Sequence, residues 1–210
     1  MGDCRKSFIF AQANERHCSL HYSPIHDNTS IINIMEIGIF CSANDNIEQD
    51  YFEKARELGH WIADQGHSIV FGGSNTGLME CIAKAMQEHG GRTIGVVPRI
   101  LERGRRVSEY CEVTISCEDL SDRKALMMER VDIFIALPGG VGTLDEIFTV
   151  AASHSIGFHT KKVILYNIDG FWNETIRLLD DMQRRNFIRG KWTDMIEVAE
   201  NLDEIKKKLG

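Results

Sequence analysis

The stretch from Val131 to Phe148 constrains the fold more than any other part of this chain. It reads Val-Asp-Ile-Phe-Ile-Ala-Leu, then Pro-Gly-Gly-Val-Gly-Thr, then Leu-Asp-Glu-Ile-Phe. An almost uninterrupted apolar run suits a strand buried on both faces, as in a parallel sheet. After a turn carrying three glycines, Leu144, Ile147, Phe148 and Ala151 recur at the spacing of one helical face. Glycines let the backbone turn sharply and approach a ligand that a Cβ would hold away. The first amides of the helix lack intrahelical acceptors and carry partial positive charge. Strand, glycine turn and helix start together make a site for a phosphate or another small anion.

The rest of the chain repeats this rhythm from Ile34 onward. Strands are expected at 34–40, 68–71, 93–97, 111–115, 162–166 and 195–199, besides the central one. Between them, Phe52, Ala55, Leu58, Gly59 and Ile62 mark one face of a helix that ends at Gly66. Leu78, Ile82, Ala85 and Met86 mark a second, broken by Gly90-Gly91. Asp119–Arg130 reads as a third, Phe171–Arg185 as a fourth with Trp172, Ile176, Leu179 and Met182 inward, and Leu202–Leu209 as the last. Arg99–Tyr110 reads as a charged loop. Strands and helices alternating at this spacing predict one doubly wound, Rossmann-like α/β domain over 34–210, mostly parallel, with helices on both faces. Ligands of such sheets bind outside the carboxyl ends of the strands, at the switch point. The turns at Ser42, at Gly72-Gly73 and at Pro138–Thr143 all fall at such ends. Their convergence predicts a nucleotide pocket.

Composition narrows the partners. The chain has 210 residues, a 43% hydrophobic content and a formal charge of −7. That is enough for one well-buried domain, and the wrong sign for a nucleic-acid polymer as the main partner. The six cysteines form no CxxC pair and read as reduced thiols of a cytoplasmic protein. No apolar run approaches the ~20 residues of a membrane span. Residues 1–33 are polar and rich in His and Asn. They are expected to be a disordered or misannotated leader before a natural start at Met35. His17, Cys18, His21 and His26 lie there, but their spacing matches no zinc module, so no metal site is assigned.

Two positions bear on chemistry, each with a plain alternative. Thr143 and Glu146 have the Thr-x-x-Glu spacing of a capping box, which would tie the carboxylate to its own helix start. Otherwise Glu146 is an acid or base beside the anion site. Arg123, with Lys124, opens the helix before the central strand. It either sits on a solvated face paired with Asp119, Asp122 or Glu129, or reaches over the pocket to hold a phosphate. The Arg99, Arg103, Arg105, Arg106 cluster is left unassigned. His154 and His159 flank a helix exit and read as structural.

Pro138-Gly139-Gly140-Val141-Gly142-Thr143-Leu144-Asp145-Glu146 resembles the PGGxGTxxE motif of the Lonely Guy (LOG) family, whose members are cytokinin riboside 5′-monophosphate phosphoribohydrolases often described as lysine decarboxylases. Arg123-Lys124 fits the RK of its second motif, and the likeness runs through Phe71-Gly72-Gly73 and Gly77-Leu78-Met79, from about residue 35 to the C-terminus. The resemblance implies hydrolysis of the N-glycosidic bond of purine nucleoside 5′-monophosphates, AMP or N6-modified cytokinin ribotides, to free base and ribose 5-phosphate. It places Arg123 and Glu146 as the catalytic pair and Gly139, Gly140, Val141, Gly142 and Thr143 as the phosphate loop. Lys124, Ser42, Gly72 and Gly73 are the further expected substrate contacts. It implies a homodimer, and no metal or redox cofactor. An ordinary Glu, with pKa about 4.3, would already be ionised at neutral pH. The chain departs from the family where Ser74 follows Gly72-Gly73, at Glu80 and at Leu120, which bears on the base accepted. The rival reading is a nucleotide or molybdenum-cofactor carrier on the same fold, or a nucleotide sensor. A carrier has no need of the Arg123 and Glu146 pair.

Overall fold

The computed structural model describes residues 33–210; the leader and its His and Cys residues lie outside the described residues. Among these residues seven strands form one sheet: β1 (Glu36–Phe40), β2 (Ser68–Phe71), β3 (Arg92–Pro98), β4 (Val113–Cys117), β5 (Ile133–Ala136), β6 (Val163–Tyr166) and β7 (Ile196–Ala199). Their order is β4-β3-β2-β1-β5-β6-β7, and every pairing is parallel. The chain therefore runs outward from β1 in one direction, then returns to β1's other side at β5. The gap between the β1 and β5 ends is the switch point of a doubly wound sheet.

Among the described residues seven α-helices connect and cover the strands: α1 (Gln49–Asp64), α2 (Gly77–Glu88), α3 (Arg99–Arg103), α4 (Leu120–Arg130), α5 (Val141–Ser155), α6 (Asn173–Arg184) and α7 (Leu202–Leu209). Alternation along the strands sorts the core into two layers. Ile37, Ile39, Ile69, Phe71, Ile135 and Ile164 pack against Leu58 and Ile62 of α1, Leu78 and Ile82 of α2, and Ile205 of α7. Phe40, Val70, Phe134, Val163 and Leu165 face the other way, onto Met127 of α4, Ile147 and Val150 of α5, and Leu179 of α6. Because both faces are covered, the interior strands read as continuous apolar runs. Gly38 makes room for the Phe134 ring, which would lie 2.3 Å from a Cβ there.

The expected elements are present, with local differences. The 99–110 segment opens with the short α3, because Pro98, in extended backbone at φ −61°, ends β3 and starts a turn. The strand expected at 111–115 is displaced to Val113–Cys117. Thr93 holds the Tyr110 carbonyl and the Glu112 amide in the preceding turn, so pairing with β3 starts at Val113 opposite Ile94. Met182 and Phe148, expected inward, are 38% and 37% exposed. In α5 the buried stripe is instead Thr143, Glu146, Ile147, Val150 and Ala151, so the helix turns a polar pair inward at its start. Among the described residues no helix is long and apolar enough to cross a membrane.

Candidate active site

Three loops meet above the switch point, and Ser42 ties them together. Its amide donates to the Pro138 carbonyl (3.1 Å), its carbonyl accepts from the Leu78 amide (2.9 Å), and its hydroxyl accepts from the Asn44 amide (3.0 Å). The β1 loop is thereby bonded to the β5 loop and to the start of α2. Gly77 allows that approach. It has φ +62°, and a Cβ there would stand 2.5–2.6 Å from backbone atoms of Ser42, Ala43 and Asn44.

The loops enclose a cavity of about 480 Å³ lined by Cys41, Ser42, Ala43, Asn44, Met79, Arg123, Gly140, Gly142, Thr143 and Glu146. One wall is the start of α5. Its N-cap is Gly140, and the first hydrogen bond onto that cap comes from the Leu144 amide, 3.0 Å from the Gly140 carbonyl. The amides of Val141, Gly142 and Thr143 lie before that bond, and the first turn carries no acidic side chain to compensate them. A Cβ at Gly140 or Gly142 would meet nothing within 4 Å. The missing side chains leave open space directly over these amides.

Arg123 and Glu146 form the other wall. Arg123 is only 8% exposed and Glu146 only 3%, and Arg123 Nη2 donates to Glu146 Oε1 at 2.5 Å. The solvated-face alternative for Arg123 therefore does not hold. Asp119 caps α4 by accepting from the Ser121 and Asp122 amides, which turns Arg123 toward α5. The capping box does not form either. With Gly140 as the N-cap, Thr143 is the third helical residue and Glu146 the sixth, and no side chain caps α5. Burial pushes the Glu146 carboxyl up to about 7, with Arg123 pulling the other way. The ionised state expected of an ordinary Glu is thus replaced by one poised near neutrality, because desolvation outweighs one ion pair. Cys41, at the end of β1, is held well above the usual thiol range by burial and by Glu146. Arg123 Nε is buried without a hydrogen-bond partner among the described residues.

The other expected positions divide. Ser42, Gly140, Gly142 and Thr143 line the cavity; Gly139, Val141, Lys124, Gly72 and Gly73 do not. Gly139 leaves room for Thr143, whose Oγ1 would lie 2.2 Å from a Cβ, and the Val141 side chain is 85% exposed. Gly72 lies under the guanidinium, with Arg123 Nη1 at 3.2 Å from a would-be Cβ. Gly73, at φ +69°, packs beneath Val97. Lys124 turns to Asp145. Glu80 faces a separate cavity of about 260 Å³ with Asp45, Arg56 and Lys84, so that departure does not touch the main one. Ser74 is buried, 3.0 Å from the Thr76 hydroxyl, and Leu120 is exposed at the start of α4. Cys41, Ala43, Asn44 and Met79 were not singled out beforehand. Their only signal was membership in the polar turn and in the Gly77-Leu78-Met79 match.

A parallel doubly wound sheet with an anion-ready helix start and a buried guanidinium–carboxylate pair at its switch point defines a small-ligand protein of the Rossmann-like class. The chain belongs to the LOG family. The family model described as "Possible lysine decarboxylase" matches residues 79–209. Cytokinin riboside 5′-monophosphate phosphoribohydrolase LOG5 of Arabidopsis thaliana is 33% identical over 173 residues, 82% of this chain and 76% of that protein. The probable phosphoribohydrolase LOGL6 of Oryza sativa subsp. japonica is 34% identical, over 82% of this chain and 69% of its own. Among solved structures, the molybdenum cofactor binding protein of Rippkaea orientalis superposes with a TM-score of 0.63 at 22% identity, covering 84% of this chain and 96% of that one. The molybdenum cofactor carrier protein of Chlamydomonas reinhardtii gives 0.62 at 21%, covering 84% and 98%. These two likenesses speak to the fold alone. A decarboxylase using pyridoxal phosphate needs a lysine amine to hold it. No lysine lines this cavity, and Lys124, next to Arg123 in sequence, spends its amine on Asp145. The residues present do not fit that cofactor.

Proposed function

We propose that this chain hydrolyses the N-glycosidic bond of purine nucleoside 5′-monophosphates, AMP or N6-modified cytokinin ribotides, releasing free base and ribose 5-phosphate. The buried Arg123–Glu146 pair beside the open start of α5 carries this reading. The phosphate takes the start of α5 at Gly142 and Thr143, which line the cavity, where partial positive charge and open space coincide. The Arg123 guanidinium, which lines the opposite wall, adds a positive charge facing the ligand. Bond breaking develops positive charge at the anomeric carbon, as in other glycoside cleavage. The C1′–N bond breaks with its electron pair leaving on the base, water oxygen bonds to C1′, a water proton passes to the Glu146 carboxylate, and the base nitrogen takes up a proton from that carboxyl or from solvent, which releases neutral base and resets Glu146. A carboxyl poised near neutrality suits that exchange. The pair also favours this reading over that of a carrier, which has no need of a buried acid beside its ligand.

The test incubates AMP and isopentenyladenosine 5′-monophosphate separately with the wild type and with Glu146→Ala, and follows free base by chromatography. Base release by the wild type alone is expected. Calorimetric binding of either nucleotide without release would refute the hydrolase and favour a carrier or sensor.

A further inference from the structure

α4 and α5 are joined by two consecutive ion pairs. Beside the Arg123–Glu146 contact, Lys124 Nζ donates to both carboxylate oxygens of Asp145, at 2.8 and 2.7 Å. Lys124 is more buried than the other ion-paired lysines among the described residues. Its side chain is 15% exposed, whereas Lys54 and Lys206, which pair within their own helices, are 44% and 39% exposed. It does not line the cavity. Residue numbers rise along α4 as their partners fall along α5 (123 with 146, 124 with 145), so the two bridges fix both the rotation and the sliding of one helix against the other.

We propose that Lys124 and Asp145 are a positioning pair, holding α4 in the register that delivers Arg123 to Glu146 rather than touching the ligand. The functional part rests on the hydrolase reading above. Four groups face the Glu146 carboxyl: Arg123 and Lys124 from α4, Asp145 on its own helix, and the Cys41 thiol at the end of β1. Burial keeps that thiol protonated at neutral pH, so it adds no charge. Asp145 raises the proton affinity of Glu146 and Lys124 lowers it. The two halves of the pair thus act on the same carboxyl with opposite sign.

The experiment titrates the Glu146 side-chain carboxyl by carbon-13 NMR, assigned by loss of its signal in Glu146→Gln, in the wild type, Asp145→Asn, Lys124→Met and Lys124→Arg. The inflection is expected to fall in Asp145→Asn, rise in Lys124→Met and return toward wild type in Lys124→Arg. Base release by both disrupted variants is expected to drop about tenfold or more in kcat, with KM nearly unchanged. Inflections that stay put or move the same way would overturn the pair's role, as would a loss confined to KM, which marks a ligand contact. Opposite shifts in a wild type that releases no base would uphold the pair and sink the hydrolase.

Discussion

Glu146→Gln is expected to trade activity for stability, in a way that pH exposes. Burial lifts the folded-state carboxyl from its ordinary 4.5 to about 7. A carboxyl raised in the folded state favours folding fully at pH below its unfolded value. That contribution is lost as pH climbs through the folded value, because the unfolded chain ionises first. At ~1.4 kcal/mol per pH unit the loss between pH 4.5 and 8 amounts to about 3 kcal/mol. Glutamine carries no titrating proton and keeps an acceptor for Arg123 Nη2, so the variant escapes it. Urea unfolding of both proteins at pH 5, 6, 7 and 8.5 reads the difference directly. The stability of Glu146→Gln relative to wild type should rise by ~2–3 kcal/mol across this range, with most of the change between pH 5 and 7. The same variant should release no base. A difference that stays flat across pH would refute the reasoning, since it would mean that Arg123 holds the carboxyl at its ordinary value.

Gly142→Ala should leave the fold intact, because its Cβ meets nothing within 4 Å and alanine favours a helix by up to ~1 kcal/mol over glycine. The methyl occupies the space over the α5 amides, so the KM for AMP should rise about tenfold (~1.4 kcal/mol); an unchanged KM would place the phosphate elsewhere. Gly77→Ala should behave oppositely. A side chain at φ +62° costs ~1–2 kcal/mol, and its Cβ presses on backbone at 2.5–2.6 Å. The urea midpoint should show a loss of about 3 kcal/mol. A loss under ~1 kcal/mol would mean that the Ser42–Asn44 loop yields easily.

The elements that could be read in advance are those whose signals are local. Ile133–Ala136 is a strand because four apolar residues in a row suit a position between two paired neighbours, β1 and β6. Helix stops at Gly66 and Gly90 follow from backbone that glycine adopts freely, at φ +74° and +68°. Met182 and Phe148 were misread as core because a helical stripe shows which residues share a face but not how far the neighbouring element extends. Thr143 and Glu146 matched a capping box because the pattern does not say where the helix begins.

The sequence by itself determined the alternation of strands and helices and the glycine turn at Pro138–Thr143 that opens a helix. Each depends on residues a few positions apart, or on a pattern carried whole in the chain. Only the tertiary structure decided that β1 and β5 are neighbours, that Arg123 reaches Glu146 across twenty-three positions, and that Lys124 turns to Asp145. The same holds for the raised proton affinity of Glu146. It reflects how much water the sheet, α4 and the β1 loop exclude from one carboxyl, and that quantity exists only once those elements have packed.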